Sequence, residues 1–165
     1  MIGDPSDARG TPIGVFNFHV AFSRDPLEGS GGGSGGDNAP LCQGAFSELS
    51  GLEATMEPRT IREGGRNWGS LQRPGAVNFA TVVLKRGITR ARDLWWWFEL
   101  LGQGGYVNRL KADIEVRGAS GDRLMTWTLR RALPVKFKAS DLNARGTDVG
   151  VEELHIVHEG LEHQA

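Results

Sequence analysis

Leu110, Ala112, Ile114 and Val116 alternate strictly with Lys111, Asp113, Glu115 and Arg117. A helix cannot satisfy this pattern, because residues two apart there lie on different faces. The segment reads as a strand with one apolar and one charged face. After the turn sequence GASGD, Met125, Trp127 and Leu129 alternate with Thr126, Thr128 and Arg130. Residues 109–130 therefore predict a β-hairpin with a Gly-containing loop. Phe16, Phe18, Val20 and Phe22 repeat the alternation with Asn17, His19 and Ala21. Residues 78–85 (NFATVVLK) and 151–158 (VEELHIVH) are β-branched and apolar enough to be strands. Residues 45–62 read as one long strand or a bent pair, with Gly51 and Pro58 as bulge or edge points. The expected fold is mainly β, a small barrel or sandwich of six or more strands.

One stretch departs from this period. Residues 89–101 (TRARDLWWWFELL) carry Leu94, Trp97, Phe98 and Leu101 at helical spacing, followed by Gly102, and predict a single helix with Gly as the stop. At about 100° per residue, Trp95, Trp96 and Trp97 sweep some 200° of its circumference. The apolar face takes in Trp97, leaving Trp95 at its edge and Trp96 almost opposite. Large apolar surface left in water usually marks an interface, so Trp95 and Trp96 are candidate subunit contacts.

Composition narrows the class. The chain has 165 residues, 39% hydrophobic, with 19 basic against 20 acidic side chains. That is enough apolar content for a real core, and a net charge of −1 argues against a general nucleic-acid or membrane-surface binder. The single Cys42 excludes an internal disulfide framework and a Cys-rich zinc site. No stretch reaches the roughly 18 apolar residues of a membrane span. The polar start MIGDPSDARGTP lacks the features of a signal peptide, so synthesis in the cytoplasm is expected. Residues 29–36 (GSGGGSGG) read as a flexible insertion within one domain, because the 28 residues before them are too few for a core of their own. The expected organisation is a flexible 1–14, a β domain over 15–162 with the Gly/Ser-rich insertion at 27–40, and a tail at 163–165.

Chemistry is sparse. His155 and His158 fall on opposite faces of a strand, and the histidines are expected at the surface or at an interface rather than on a metal. Cys42 has no nucleophile context, and GQGG at 102–105 follows a helix and terminates it. There is no P-loop, HExxH or GxSxG motif, and no catalytic, cofactor-binding or metal-ligating residue is nominated. Residues 63–74 are different. Gly64, Gly65 and Gly69 permit an unusual backbone path, while Trp68 sits beside Arg62, Arg66 and Arg73. Trp and Arg together are odd for a connector and typical of interface hot spots. The alternative is a loop folded back, with Trp68 covering the core.

Taken in order, FNFHV, FSELSGLEA, the REGG of Arg62 to Gly65, RPG at 73–75, NFATVVLKRG, DLWWWFE, MTWTLRRALPVKF and VEELHIVHEGLE span residues 15–162. This series resembles the tail-tube proteins of contractile-tailed phages and their relatives in extracellular contractile injection systems. These are akin to the haemolysin-coregulated protein of type VI secretion. The resemblance implies a small β-barrel or sandwich flanked by a helix, six copies of which form a ring. Stacked rings make a hollow tube, which a contracting sheath drives through a target envelope. Implied partners are further copies of the chain, a contractile sheath protein, baseplate or spike and tube-terminating proteins, and effector cargo or DNA in the lumen. No cofactor and no membrane insertion of the free subunit are implied. The particle would be a phage tail or a phage tail-like body, cytoplasmic or released. In that frame, Lys111, Asp113, Glu115 and Arg117 are candidates for a polar lumen of mixed charge, with exposure toward the sheath as the other option. Arg62, Gly64, Gly65, Arg66, Trp68 and Arg73 are candidates for ring stacking. The insertion at 27–40 departs from the family pattern. A β-barrel ligand-binding module or small enzyme is the alternative class.

Overall fold

The computed structural model describes residues 14, 17–25, 42–44 (backbone only), 46–65, 67–103 and 109–164. Its strands are β1 (Phe18–Arg24), β2 (Cys42–Gly44), β3 (Glu48–Ser50), β4 (Ala54–Met56), β5 (Arg59–Ile61), β6 (Leu71–Arg73), β7 (Val77–Phe79) and β8 (Val82–Gly87). After the helix α1 (Asp93–Gly102) come β9 (Leu110–Arg117), β10 (Arg123–Lys138), β11 (Val151–Val157) and β12 (Gly160–Gln164). The expectations for Phe16, the insertion at 27–40, Arg66, the Cys42 thiol and the end of the GQGG run lie outside the described residues.

The alternating hairpin forms as its pattern requires, β9 against β10 with Ile114 opposite Trp127 and Asp113 opposite Thr128. β10 is twice as long as its partner, and each half serves a different set of neighbours. Its first half pairs with β9 and β12, its second half with β11. The strand path runs β2-β1-β9-β10-β11-β8-β3, with β12 beside β10, and does not close among the described residues. Of the two forms open to the sequence, the closed barrel is therefore not the one adopted.

Between the halves, the register against β9 jumps from Leu129 to Ala132, and Arg131 takes φ +52°. A non-Gly residue there needs external support. The Asp25 carboxylate accepts the Arg131 N–H at 2.8 Å, and Glu159 pairs with both Arg131 Nε and Arg109 Nη1 at 2.6 Å. The bend turns both halves onto one core. Val20 and Phe22 of β1, Ala112 and Ile114 of β9, Leu84 of β8, and Leu154 and Ile156 of β11 are all buried in it.

The helix closes this core with Leu94 and Trp97, the Trp97 ring lying 5.2 Å from that of Phe22. It starts at Asp93 rather than at Thr89, because the Thr89 hydroxyl accepts the Ala91 N–H in a local turn. Gly102 is the last helical residue and Gln103 the cap. Arg86 fixes where the helix begins. Arg86, only 3% exposed, grips the Asp93 carboxylate at 2.6 and 3.2 Å with its guanidinium and also bonds Glu152 of β11. The two carboxylates hold Arg86 above the ordinary guanidinium range despite its burial. β12 runs to Gln164, so His163 and Gln164 belong to the sheet rather than to a tail.

Arg86→Ala would leave two carboxylates facing each other in a half-dry site. The expected loss is about 3–5 kcal/mol of subunit stability, read as a fall in the urea midpoint of dissociated subunits. An unchanged midpoint would show that the helix is anchored by Leu94 and Trp97 alone.

Candidate assembly surfaces

Where one long strand or a bent pair was expected at 45–62, the chain instead makes three short strands. β3 ends at Ser50, and Gly51 follows at φ +88°, where a Cβ would lie 2.2 Å from Thr81 O. The same crossing splits the expected strand at 78–85 into β7 and β8, with Ala80 N–H donating to Glu53 O. Beyond it the chain runs out and back as a hairpin arm. β4 pairs β7 with Ala54 opposite Phe79, and β5 pairs β6 with Ile61 opposite Leu71. Gly75 permits the second close approach, since a Cβ there would meet Glu57 O. β4 and β5 are almost wholly exposed.

The arm's tip is shorter than the 63–74 loop expected, because residues 71–73 pair as β6. Trp68 stands in solvent at 92% exposure, so within the single chain it covers no core. Gly64, Gly65 and Gly69 have no atom near where a Cβ would stand, as suits a projecting tip. Arg59 lies directly opposite Arg73 and Arg62 follows β5, all three exposed. Like charges placed opposite one another weaken an isolated hairpin.

The four charged residues of β9 do share one face, each half-buried. Lys111 pairs with Asp113 at 2.9 Å and Arg117 with Glu115 at 2.7 Å, while Thr128 donates to Asp113 at 2.7 Å. Glu162 and Gln164 of β12 extend this face across Thr128 and Thr126. The surface is polar, and its charges are neutralised within it. On the helix, Trp96 is 52% exposed and Trp95 45%, the latter edge-on to Phe137 at 5.4 Å.

The histidines divide as the strand period requires, but not all lie at the surface. His155 sits beside Glu153, whereas His158 is buried at the base of the arm against Phe79, 5.1 Å between rings. His158 Nδ1 donates to Gly160 O at 2.9 Å, and its Nε2 has no partner among the described residues. Burial pushes the imidazole below its ordinary value near 6.5, against the opposing effect of that hydrogen bond. Sequence reasoning singled out the tip of the arm but missed Arg86 and the β4–β7 and β5–β6 pairing that builds the arm, because these depend on residues far apart in the chain. Among the described residues no three His, Cys, Asp or Glu side chains are grouped so as to hold a metal, and no helix is long and apolar enough to cross a membrane.

An unclosed sheet, exposed tryptophans and a projecting arm describe a subunit shaped for assembly, and its class is the structural tube protein of contractile tails. The chain belongs to the T4-like virus tail tube protein gp19 family, whose model matches residues 14–162. A chain in the six-fold symmetrised anti-feeding prophage baseplate is 28% identical, with a TM-score of 0.77 over 94% of this chain and 97% of its own. A chain in the extended sheath–tube complex of PVC, an extracellular contractile injection system, is 20% identical, with a TM-score of 0.76 over 100% and 99%. A type six secretion system protein shares the fold at 12% identity and a TM-score of 0.53, over 89% and 83%. No curated protein matches the sequence significantly.

His158 supplies a test of packing at the arm's base. With its folded-state pKa depressed, the unfolded chain binds the proton first as pH falls. The stabilisation is therefore complete above about pH 6.5 and is lost progressively below it. The urea midpoint is expected to decline between about pH 7.5 and about pH 5.5, less steeply in His158→Phe. Parallel declines in the two proteins would remove His158 as the cause.

Proposed function

We propose that six copies of this chain close into a ring, that rings stack into a hollow tube, and that a contractile sheath drives this tube through a target envelope. The observation that carries the reading is the family match across residues 14–162, joined to a sheet left open at both ends among the described residues. Open edges invite pairing with another chain, and pairing them between copies removes that hazard. Trp95 and Trp96 contribute to contacts between subunits. The arm, with Arg62, Gly64, Gly65, Arg66, Trp68 and Arg73, carries contacts between rings. Lys111, Asp113, Glu115 and Arg117 face the channel, where self-neutralised charge lets effector cargo or DNA pass without adhering. The role is structural, with no catalytic turnover. The other partners are the sheath protein, baseplate or spike proteins and a tube terminator. The free subunit does not insert into membranes, and it ends in a phage tail or phage tail-like particle.

Electron microscopy of the purified chain should give six-fold rings and stacks of them, and a monomer at all concentrations would refute the reading. Trp96→Ala should raise the concentration needed for assembly about tenfold or more while leaving the unfolding midpoint nearly unchanged. A collapsed midpoint with normal assembly of the folded fraction would move Trp96 into the core. Deleting residues 65–71 should leave folded subunits that make single rings and stack poorly. Tubes of normal length from that deletion would assign stacking to other residues.

A further inference from the structure

The arm needs a receiving surface on the next ring. β8 runs between the two ends of its half of the sheet. At one end Val82 lies opposite Ile156, and Val83 opposite Ser50. At the other, Gly87 lies opposite Val151. The arm leaves from the first end, after Ser50, and returns into Val82. The connection at 139–150, between β10 and β11, leaves from the second. Five steps of antiparallel strand, about 17 Å, separate them. Copies stacked head to tail along this direction bring the arm of one against the 139–150 end of the next.

That end carries exposed apolar side chains among polar ones. Leu142 is 92% exposed and Val149 78%, and Ile88 is half-exposed. Ile88 N–H donates to Gly150 O at 2.9 Å, and Val149 Cγ1 lies 3.6 Å from where a Cβ on Gly87 would stand, which ties Ile88 and Val149 into one patch. Asp141 precedes Leu142 and Asp148 precedes Val149, with Arg145 the one basic residue of the connection. The arm offers the complement: an exposed indole at its tip, and Arg59, Arg62 and Arg73, which make no ion pair among the described residues.

We propose that Trp68 of one copy seats on Leu142 and Val149 of a second copy in the adjacent ring, with Asp141 and Asp148 of that copy facing the arm's arginines. This rests on the arm's role in stacking and names the surface that receives it. The contact is heterologous and does not close on itself, so repetition produces a filament rather than a pair of rings.

The test compares assembled Trp68→Ala with the double variant Leu142→Ser/Val149→Ser, measuring tube length by electron microscopy. Both are expected to form intact rings whose stacks are about tenfold shorter than the parent's, or more. Oxidised tubes carrying Trp68→Cys and Leu142→Cys together should give a disulfide ladder on a denaturing gel that neither single variant gives. If Trp68→Ala shortens the tubes while the Leu142/Val149 variant does not and no ladder forms, the arm stacks elsewhere and this inference falls alone. Normal tubes from Trp68→Ala would overturn the stacking role of the arm and the inference with it.

Discussion

The bend in β10 at Arg131 is the constraint on which the architecture depends, because among the described strands this one alone belongs to both halves of the sheet. A left-handed Arg costs about 1–2 kcal/mol relative to an ordinary conformation. A nearly buried Asp25 carboxylate on the Arg131 N–H offsets that, since hydrogen bonds to charged groups contribute about 1.5–3 kcal/mol. Asp25 in turn is held by its own N–H on Arg109 O, and Glu159 N–H bonds Arg130 O. Three separate stretches of chain thus meet at one backbone kink, and the kink folds the two halves over a common core.

The helix is placed by a second polar device. Arg86 joins β8, β11 and the first turn of α1 through Asp93 and Glu152, so the helix start is set by electrostatics and its roll by Leu94 and Trp97. With that roll fixed, Trp95 and Trp96 have nowhere to go but outward, Trp95 partly sheltered by Phe137. A lone domain gains nothing from an exposed indole pair. A subunit that buries it against a neighbour does. The charged face of β9 follows the opposite logic. Its acids and bases neutralise one another across adjacent positions, leaving a wet wall with little net field.

The arm continues strands that began inside the sheet, so its direction is inherited from β3 and β8. Its base is wedged by Gly51 and Phe79 against the body, while its tip has no support of its own. A two-stranded ribbon of this kind is marginal alone. Its cost to an isolated subunit is reasonable only where another chain covers it, which is consistent with membership in a tube-forming family.

Local pattern determined a good deal. Strict alternation over 110–117 and 125–130 specified the β9–β10 hairpin, and the i, i+3, i+4, i+7 spacing specified the helix. The ordered series of short motifs specified the family. These survive because each depends on neighbours within a few residues. The anchoring of the helix start did not, since the Arg86 that grips Asp93 is itself held by Glu152, 66 residues away in the chain. Nor did the pairing within the arm: 45–62 reads as one long strand or a bent pair and 78–85 as one strand, and the crossing at Gly51 and Thr81 divides both. His158 likewise reads as a surface or interface residue and is buried only because it follows β11 on the inward side shared by Leu154 and Ile156. The sequence by itself determined which segments have one wet and one dry face. Tertiary structure decided where those faces point, because burial, register and the Arg131 kink depend on pairs that no local period encodes.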